Sequence, residues 1–133
     1  MKQKIIIQNI DKPRKNKIKE EVRWICDSLG LVRGRDLEDI SFRIMYELLD
    51  LFSDEKLVST ESIANSLKIE PPRINHHVRT MMESGIILRE KRKIALRGGS
   101  LTNAIEEMKR DSDQMFNRLL EVSKKIDEAF NLV

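Results

Sequence analysis

From Leu101 to Ala129 apolar residues recur at alternating spacings of four and three: Leu101, Ile105, Met108, Met115, Leu119, Val122, Ile126 and Ala129, with Ser112 the single polar interruption. Only an α-helix gathers such positions on one face, and a stripe averaging 3.5 residues per turn is the seam of a coiled coil. At about 1.5 Å per residue the helix is a rod of about 45 Å. The rest of the 133 residues suffices for one small domain and is cramped for two cores. Asp111, Arg118 and Lys125 flank the stripe on one side, Lys109, Phe116, Ser123 and Phe130 on the other, so no ladder of opposite charges forms. Phe116, Leu120 and Phe130 widen it beyond a two-helix seam. Packing against a further helix is therefore expected. The simpler alternative is a long helix folded back on its own domain.

Other classes fall away quickly. Aromatics are only 5% of the chain, which disfavours aromatic-rich β-sandwiches and sugar sites. No purely apolar run exceeds three residues, as at Ile5 to Ile7 and Ile86 to Leu88, so no membrane span is expected. Met1-Lys2-Gln3-Lys4 resembles a charged n-region, but the apolar stretch behind it is too short for a signal peptide. The one cysteine, Cys26, allows neither an internal disulfide nor a CxxC metal knuckle. A reducing cytoplasm is the expected home, and a buried structural thiol the expected role.

The net charge of +3 conceals an asymmetry. Residues 1–19 hold seven basic residues against one acidic, and residues 20–69 hold six against eleven. Residues 70–99 hold seven against three, and residues 100–133 five against seven. Two basic segments thus flank an acidic middle. Charge runs are ordinarily solvated faces, unless they fall inside an element built to read nucleic acid.

Local signals divide the remainder. A short β-type run, Lys4 to Gln8, precedes the basic linker Asp11-Lys12-Pro13-Arg14-Lys15. Asn16 is expected to cap a first helix running to Leu29 and stopped by Gly30, with the narrow stripe Ile18, Val22, Ile25 and Leu29. Asp36 is expected to cap a second, to about Phe52, burying Leu37, Ile40, Ile44, Leu48 and Leu51. Leu57-Val58 reads as a short extended piece. Ser59 or Ser62 can cap a third helix through Leu67. Pro71-Pro72 suits the first turn of a fourth, over about 71–84, with Ile74, Val78 and Met81 inward and Gly85 as its stop. Ile86 to Leu88 and Ile94 to Leu96 are expected to form a hairpin around Glu90-Lys91-Arg92-Lys93, after which Ser100 or Thr102 caps the long helix. The predicted protein is mainly α with a small β-hairpin wing (α+β). Its order of helix, short helix, turn, helix and hairpin is that of a winged helix-turn-helix. Residues 1–35 form a basic arm and helix, 36–99 the DNA-binding domain, and 100–133 the dimerisation helix.

Residues 41–97 resemble the winged-helix domain of the ArsR-type repressors. Ser41-Phe42-Arg43-Ile44-Met45-Tyr46-Glu47-Leu48-Leu49 is similar to that family's first core helix, with an arginine before an aliphatic run. Glu61-Ser62-Ile63-Ala64-Asn65-Ser66-Leu67-Lys68-Ile69 resembles the positioning helix. Ile74-Asn75-His76-His77-Val78-Arg79, with Met81 and Gly85-Ile86-Ile87, resembles the recognition helix and the start of the wing. The resemblance implies that His76 faces bases or phosphates while His77 sits nearer the core, and that the chain is a dimer. Two departures stand out. Metal-sensing members carry cysteines where this chain has Val58-Ser59-Thr60-Glu61-Ser62, and the family wing is longer, with a glycine tip and an aromatic pair.

With Ile74, Val78 and Met81 inward, the outward residues of the fourth helix are Arg73, Asn75, His76, Arg79 and Thr80. Arginine can pair bidentately with guanine and asparagine with adenine, which is what a major-groove helix needs. Arg89, Lys91, Arg92 and Lys93, with Arg97, make the hairpin over 89–97 a basic wing suited to phosphates. Thr60 and Ser62 can donate to phosphates from the start of the third helix. Lys12, Arg14, Lys15, Lys17 and Lys19 offer a second phosphate grip, or a plain surface linker. His76 and His77 diverge by ~100° on a helix and cannot easily share an ion, so neither metal nor cofactor is expected.

These residues predict a homodimer on double-stranded DNA, sealed by Ile18, Val22, Ile25 and Leu29 of the first helix with Leu101, Ile105, Met108, Met115, Leu119, Val122 and Ile126 of the last. The expected function is sequence-specific transcriptional regulation, as a repressor. The alternative is a winged-helix and coiled-coil module that joins proteins, or an architectural nucleic-acid binder. An enzyme is not expected, because no phosphate loop, HExxH motif or nucleophile with a nearby base is found.

Overall fold

The computed structural model describes residues 2–14, 17–32 and 38–132. Five helices and one hairpin follow in order: α1 (Ile18–Ser28), α2 (Ile40–Phe52), α3 (Thr60–Leu67), α4 (Pro71–Ser84), β1 (Ile87–Glu90), β2 (Lys93–Leu96) and, after a single 3-10 turn, α5 (Leu101–Phe130). The chain is mainly helical, with a two-stranded antiparallel hairpin and a long C-terminal helix.

Caps explain the best-defined boundaries. Ser59 Oγ accepts from Ser62 N at 3.1 Å and opens α3, and Ser100 Oγ accepts from Asn103 N at 3.1 Å and opens α5. Pro71 and Pro72 fill the first turn of α4, where the missing N–H groups have no intrahelical acceptor. Two expected caps, Asn16 and Asp36, lie outside the described residues, as does Leu37. Described helical structure begins at Ile18 after Lys17 and at Ile40 after Asp39, the latter in the left-handed region at φ 57°.

A single core fills the space between α2, α3, α4 and the hairpin. Ile44, Leu48, Val58, Ile63, Ile74, Val78, Met81, Ile86 and Ile94 are fully buried. Truncating one of these, for example Ile74→Ala, costs about 2–5 kcal/mol through lost transfer energy and the cavity left behind. Side chains of α2 hold α3 in place: Arg43 Nη2 donates to Leu67 O at 3.3 Å, and Glu47 Oε1 accepts from Ser66 Oγ at 2.8 Å. The Leu57-Val58 piece is extended as expected. Val58 and Ile94 exchange backbone hydrogen bonds of 2.9 and 2.7 Å, anchoring the hairpin beside the start of α3.

Three local expectations need correction. Among the described residues, 4–8 pair with no strand. They form a strap, tied by Lys4 N to Glu83 O at 2.8 Å and by Gln8 N to Ser28 O at 2.7 Å. Their aliphatic run and the preceding Gln3 serve packing: Gly30 and Gly85 both have positive φ, and a Cβ there would lie 2.6 Å from Ile6 Cγ2 and 2.5 Å from Gln3 Nε2. Each glycine thus ends a helix and gives the strap its close approach. Second, the hairpin closes through two residues rather than four. Glu90 pairs with Lys93, and Lys91 and Arg92 sit at φ 51° and 67°, the left-handed geometry of a type I′ turn. Third, α1 does not turn the whole of its predicted stripe inward. Val22 and Cys26 are buried, Ile25 and Leu29 half-buried, and Ile18 is 68% exposed. Its packing partner is α2 rather than α5, with Arg23 reaching Asp39 and lying 4.1 Å from the Phe42 ring centroid.

Along α5 the predicted stripe divides in two. Ala104 and Met108 are buried in the body, and Leu101, Ile105 and Ser112 are half-buried. Beyond Met115 the same face is bare: Phe116 is 61% exposed, Leu119 64% and Phe130 72%. Among the described residues, no helix is long and apolar enough to cross a membrane.

Candidate functional site

The inward face of α4 fixes its outward one. Ile74, Val78 and Met81 are fully buried, so the helical period turns Arg73, Asn75, His76 and Arg79 to solvent, and all four are exposed. Thr80 lies at the margin, half-buried. His77 is directed to the body, where its Nδ1 lies 2.8 Å from Ser41 Oγ, while its ring stands edge-on to that of His76 at 5.3 Å. The two histidines therefore differ in environment as expected. Among the described residues, no group of three or more His, Cys, Asp or Glu side chains is placed to hold a metal ion.

Between α4 and the hairpin runs an open groove of about 550 Å³, lined by Asn75, Arg79, Met82, Glu83 and Arg89. It unites three of the expected contact residues on two elements. Met82 and Glu83 are additions that the sequence does not single out, since only the return of the hairpin alongside α4 makes them groove residues. Two guanidinium groups and one carboxylate share the lining. At the hairpin tip Lys91, Arg92 and Lys93 are exposed, and Arg89 Nη1 donates to Arg92 O at 3.3 Å, bracing the turn.

Other expected contacts are engaged within the chain. Arg73 Nη2 donates to Glu38 Oε2 at 2.9 Å, so its guanidinium is not a free cation. Arg97, expected among the basic residues of the hairpin, points away from the tip. Its Nη1 bonds Asp111 Oδ2 at 2.5 Å and its Nε lies 3.2 Å from Glu107 Oε2, which staples the hairpin to α5. That bond to Arg97, with a second from Gln3 Nε2 at 2.8 Å, holds the Asp111 carboxyl below its ordinary pKa. Ser62 is exposed and Thr60 half-buried, but Ser62 Oγ already lies 2.8 Å from Ser59 Oγ. Of the N-terminal basic residues, Lys12, Arg14, Lys17 and Lys19 are exposed, while Lys15 lies outside the described residues. Lys19 Nζ sits 5.4 Å from the Tyr46 ring centroid.

Cys26 is fully buried, and desolvation pushes its thiol pKa up to about 12, with Asp27 adding to the shift. It is a protonated packing group, poorly suited to metal or redox work. Compared with known proteins, the chain matches no family model, no curated protein and no solved structure.

Proposed function

We propose that the protein is a dimeric, sequence-specific DNA-binding regulator of the winged helix-turn-helix class, acting as a repressor. On this reading α3 positions α4, α4 enters the major groove, and the hairpin is a short wing on the adjacent backbone. The groove that joins Asn75 and Arg79 of α4 to Arg89 of the hairpin carries the proposal. Asparagine and arginine on a solvent-facing helix supply the donor and acceptor geometry that base edges require, and the exposed cations of the tip supply sequence-independent attraction to phosphates. The likeness of residues 41–97 to ArsR-type repressors supports the same reading. So does the bare apolar half of α5, because a dimer would set two recognition helices to face successive turns of a palindromic site.

The deciding experiment is selection from a random duplex library at about 150 mM salt. A palindromic consensus with half-sites about 10 base pairs apart, or a multiple of that, is the expected result. Binding without an enriched sequence would replace base reading by architectural binding. No binding would leave a protein-joining module.

A further inference from the structure

Beneath the strap lies an apolar groove of about 270 Å³, walled by Ile5 and Ile7 of the strap, Leu29 just after α1, and Ile105, Met108, Lys109 and Ser112 of α5. The same face of α5 continues past Met115 as a bare ridge through Leu119, Val122, Ile126 and Phe130. One helix therefore carries a groove on its first half and a ridge on its second. We infer that the protein dimerises with its α5 helices antiparallel, each seating the ridge of its C-terminal half in the groove under the partner's strap. The inference rests on the dimer included in the proposed function and adds the orientation, the register and the occupant of the groove.

Two-fold symmetry makes this pairing self-complementary, since one contact answers the other. A parallel pair would set ridge on ridge and leave two grooves facing each other empty. Centring the ridge on the groove brings Met108 opposite the partner's Ile126, Ser112 opposite the partner's Val122, and Met115 opposite the partner's Leu119. All three layers come from the one four-three stripe, and the symmetry axis passes near Asn117. One flank supplies an ion pair. Arg97, Glu107 and Asp111 together carry one net negative charge on the flank of α5 opposite Lys109, and this register draws the partner's Lys125 toward Asp111, while Arg118 lies near its own symmetry mate at the axis. In a parallel pair the heptad would place Lys125 beside Phe130, with no acidic partner. The size is adequate too. Phe116 and Phe130 are still 61% and 72% exposed, so each leaves on the order of 100–150 Å² to cover, and with Leu119, Val122, Ile126 and the groove walls they supply most of the ~800 Å² per partner of a standard interface.

Spin labels on two exposed α5 positions outside the stripe test the arrangement in the full-length protein, through the variants Asn117→Cys and Glu128→Cys. The native Cys26, buried and protonated, does not compete for label in the folded chain. Sedimentation of each labelled variant reports the oligomeric state, and pulsed dipolar spectroscopy reports the distance between subunits. An antiparallel dimer sets the two labels at residue 117 level with each other, separated only by the width of the helix pair, and offsets those at residue 128 by about 33 Å along the helix axis. A short distance at 117 with a much longer one at 128 is the expected result. Equal distances at both positions would mean a parallel seam and overturn the orientation while leaving the dimer intact. Two long distances in a dimer would place the seam elsewhere. A monomer would remove the dimer reading itself, and this inference with it.

Discussion

Arg79 and Arg97 show how little a residue type says about its work. Both are arginines in the basic segment 70–99, yet Arg79 is exposed in the groove while Arg97 is held by Asp111 and Glu107. On the proposed docking, Arg79→Ala removes a base contact worth roughly 1–3 kcal/mol, so operator affinity should fall between about 5-fold and 150-fold with the melting temperature unchanged. Undiminished operator binding by this variant would refute the assigned face of α4. Asp111 predicts the converse, a stability effect with its own pH signature. Its folded pKa lies below the ordinary carboxylate value of about 3.9, so the clamp contributes fully above that value and is lost as pH falls toward the lowered one. Asp111→Asn should therefore lower the melting temperature at pH 7 and make less difference by pH 3. An equal loss at both pH values would show that charge is not what holds the clamp.

At the scale of the element, the hairpin holds a conflict between local and global needs. A type I′ turn favours Asn-Gly, because both central residues need positive φ, yet this turn is Lys91-Arg92. Each side chain in that region costs roughly 1–2 kcal/mol relative to an unstrained backbone. The double variant Lys91→Asn/Arg92→Gly should raise the melting temperature by several degrees and weaken DNA binding, lowering the slope of log affinity against log salt by up to about 2. A control, Lys91→Gln/Arg92→Gln, should weaken binding without the thermal gain. If the first variant binds DNA at full strength, the tip cations have no part in binding. The missing glycine also explains why the sequence suggested a four-residue loop. Elements marked by local chemistry were legible: Ser59, Pro71-Pro72, Gly85 and Ser100 act within a few residues of themselves. The strap was not, because its hydrogen bonds run to Ser28 and Glu83, far along the chain, and nothing in Lys4 to Gln8 distinguishes a strap from a strand. The engagement of Arg73 by Glu38 and of Arg97 by α5 was hidden for the same reason. Of the candidate site, the α4 face could be read from helical period alone, whereas the groove needed the return of the hairpin.

The whole molecule couples these scales through α5, whose first half belongs to the body and whose second half has no cover among the described residues. Contiguous exposed apolar faces of this kind mark interaction surfaces. Leu119→Asp places a carboxylate near the middle of the proposed seam, opposite the partner's Met115 and one layer from its own symmetry mate, where it could not be desolvated cheaply. The variant should sediment as a monomer and keep the melting behaviour of its body, because Leu119 makes no part of the core. The consequence for DNA follows from linkage. Two recognition helices on one rigid dimer bind a palindrome with an effective-concentration gain that can reach 10²–10⁴, and a monomer forfeits it. Leu119→Asp should thus lose affinity for the full palindrome steeply while matching the wild type on an isolated half-site, a comparison that fluorescence anisotropy with the two duplexes makes directly. Equal loss on both duplexes would point to a damaged α4 rather than a lost seam. A variant that still sediments as a dimer would move the seam away from this face of α5.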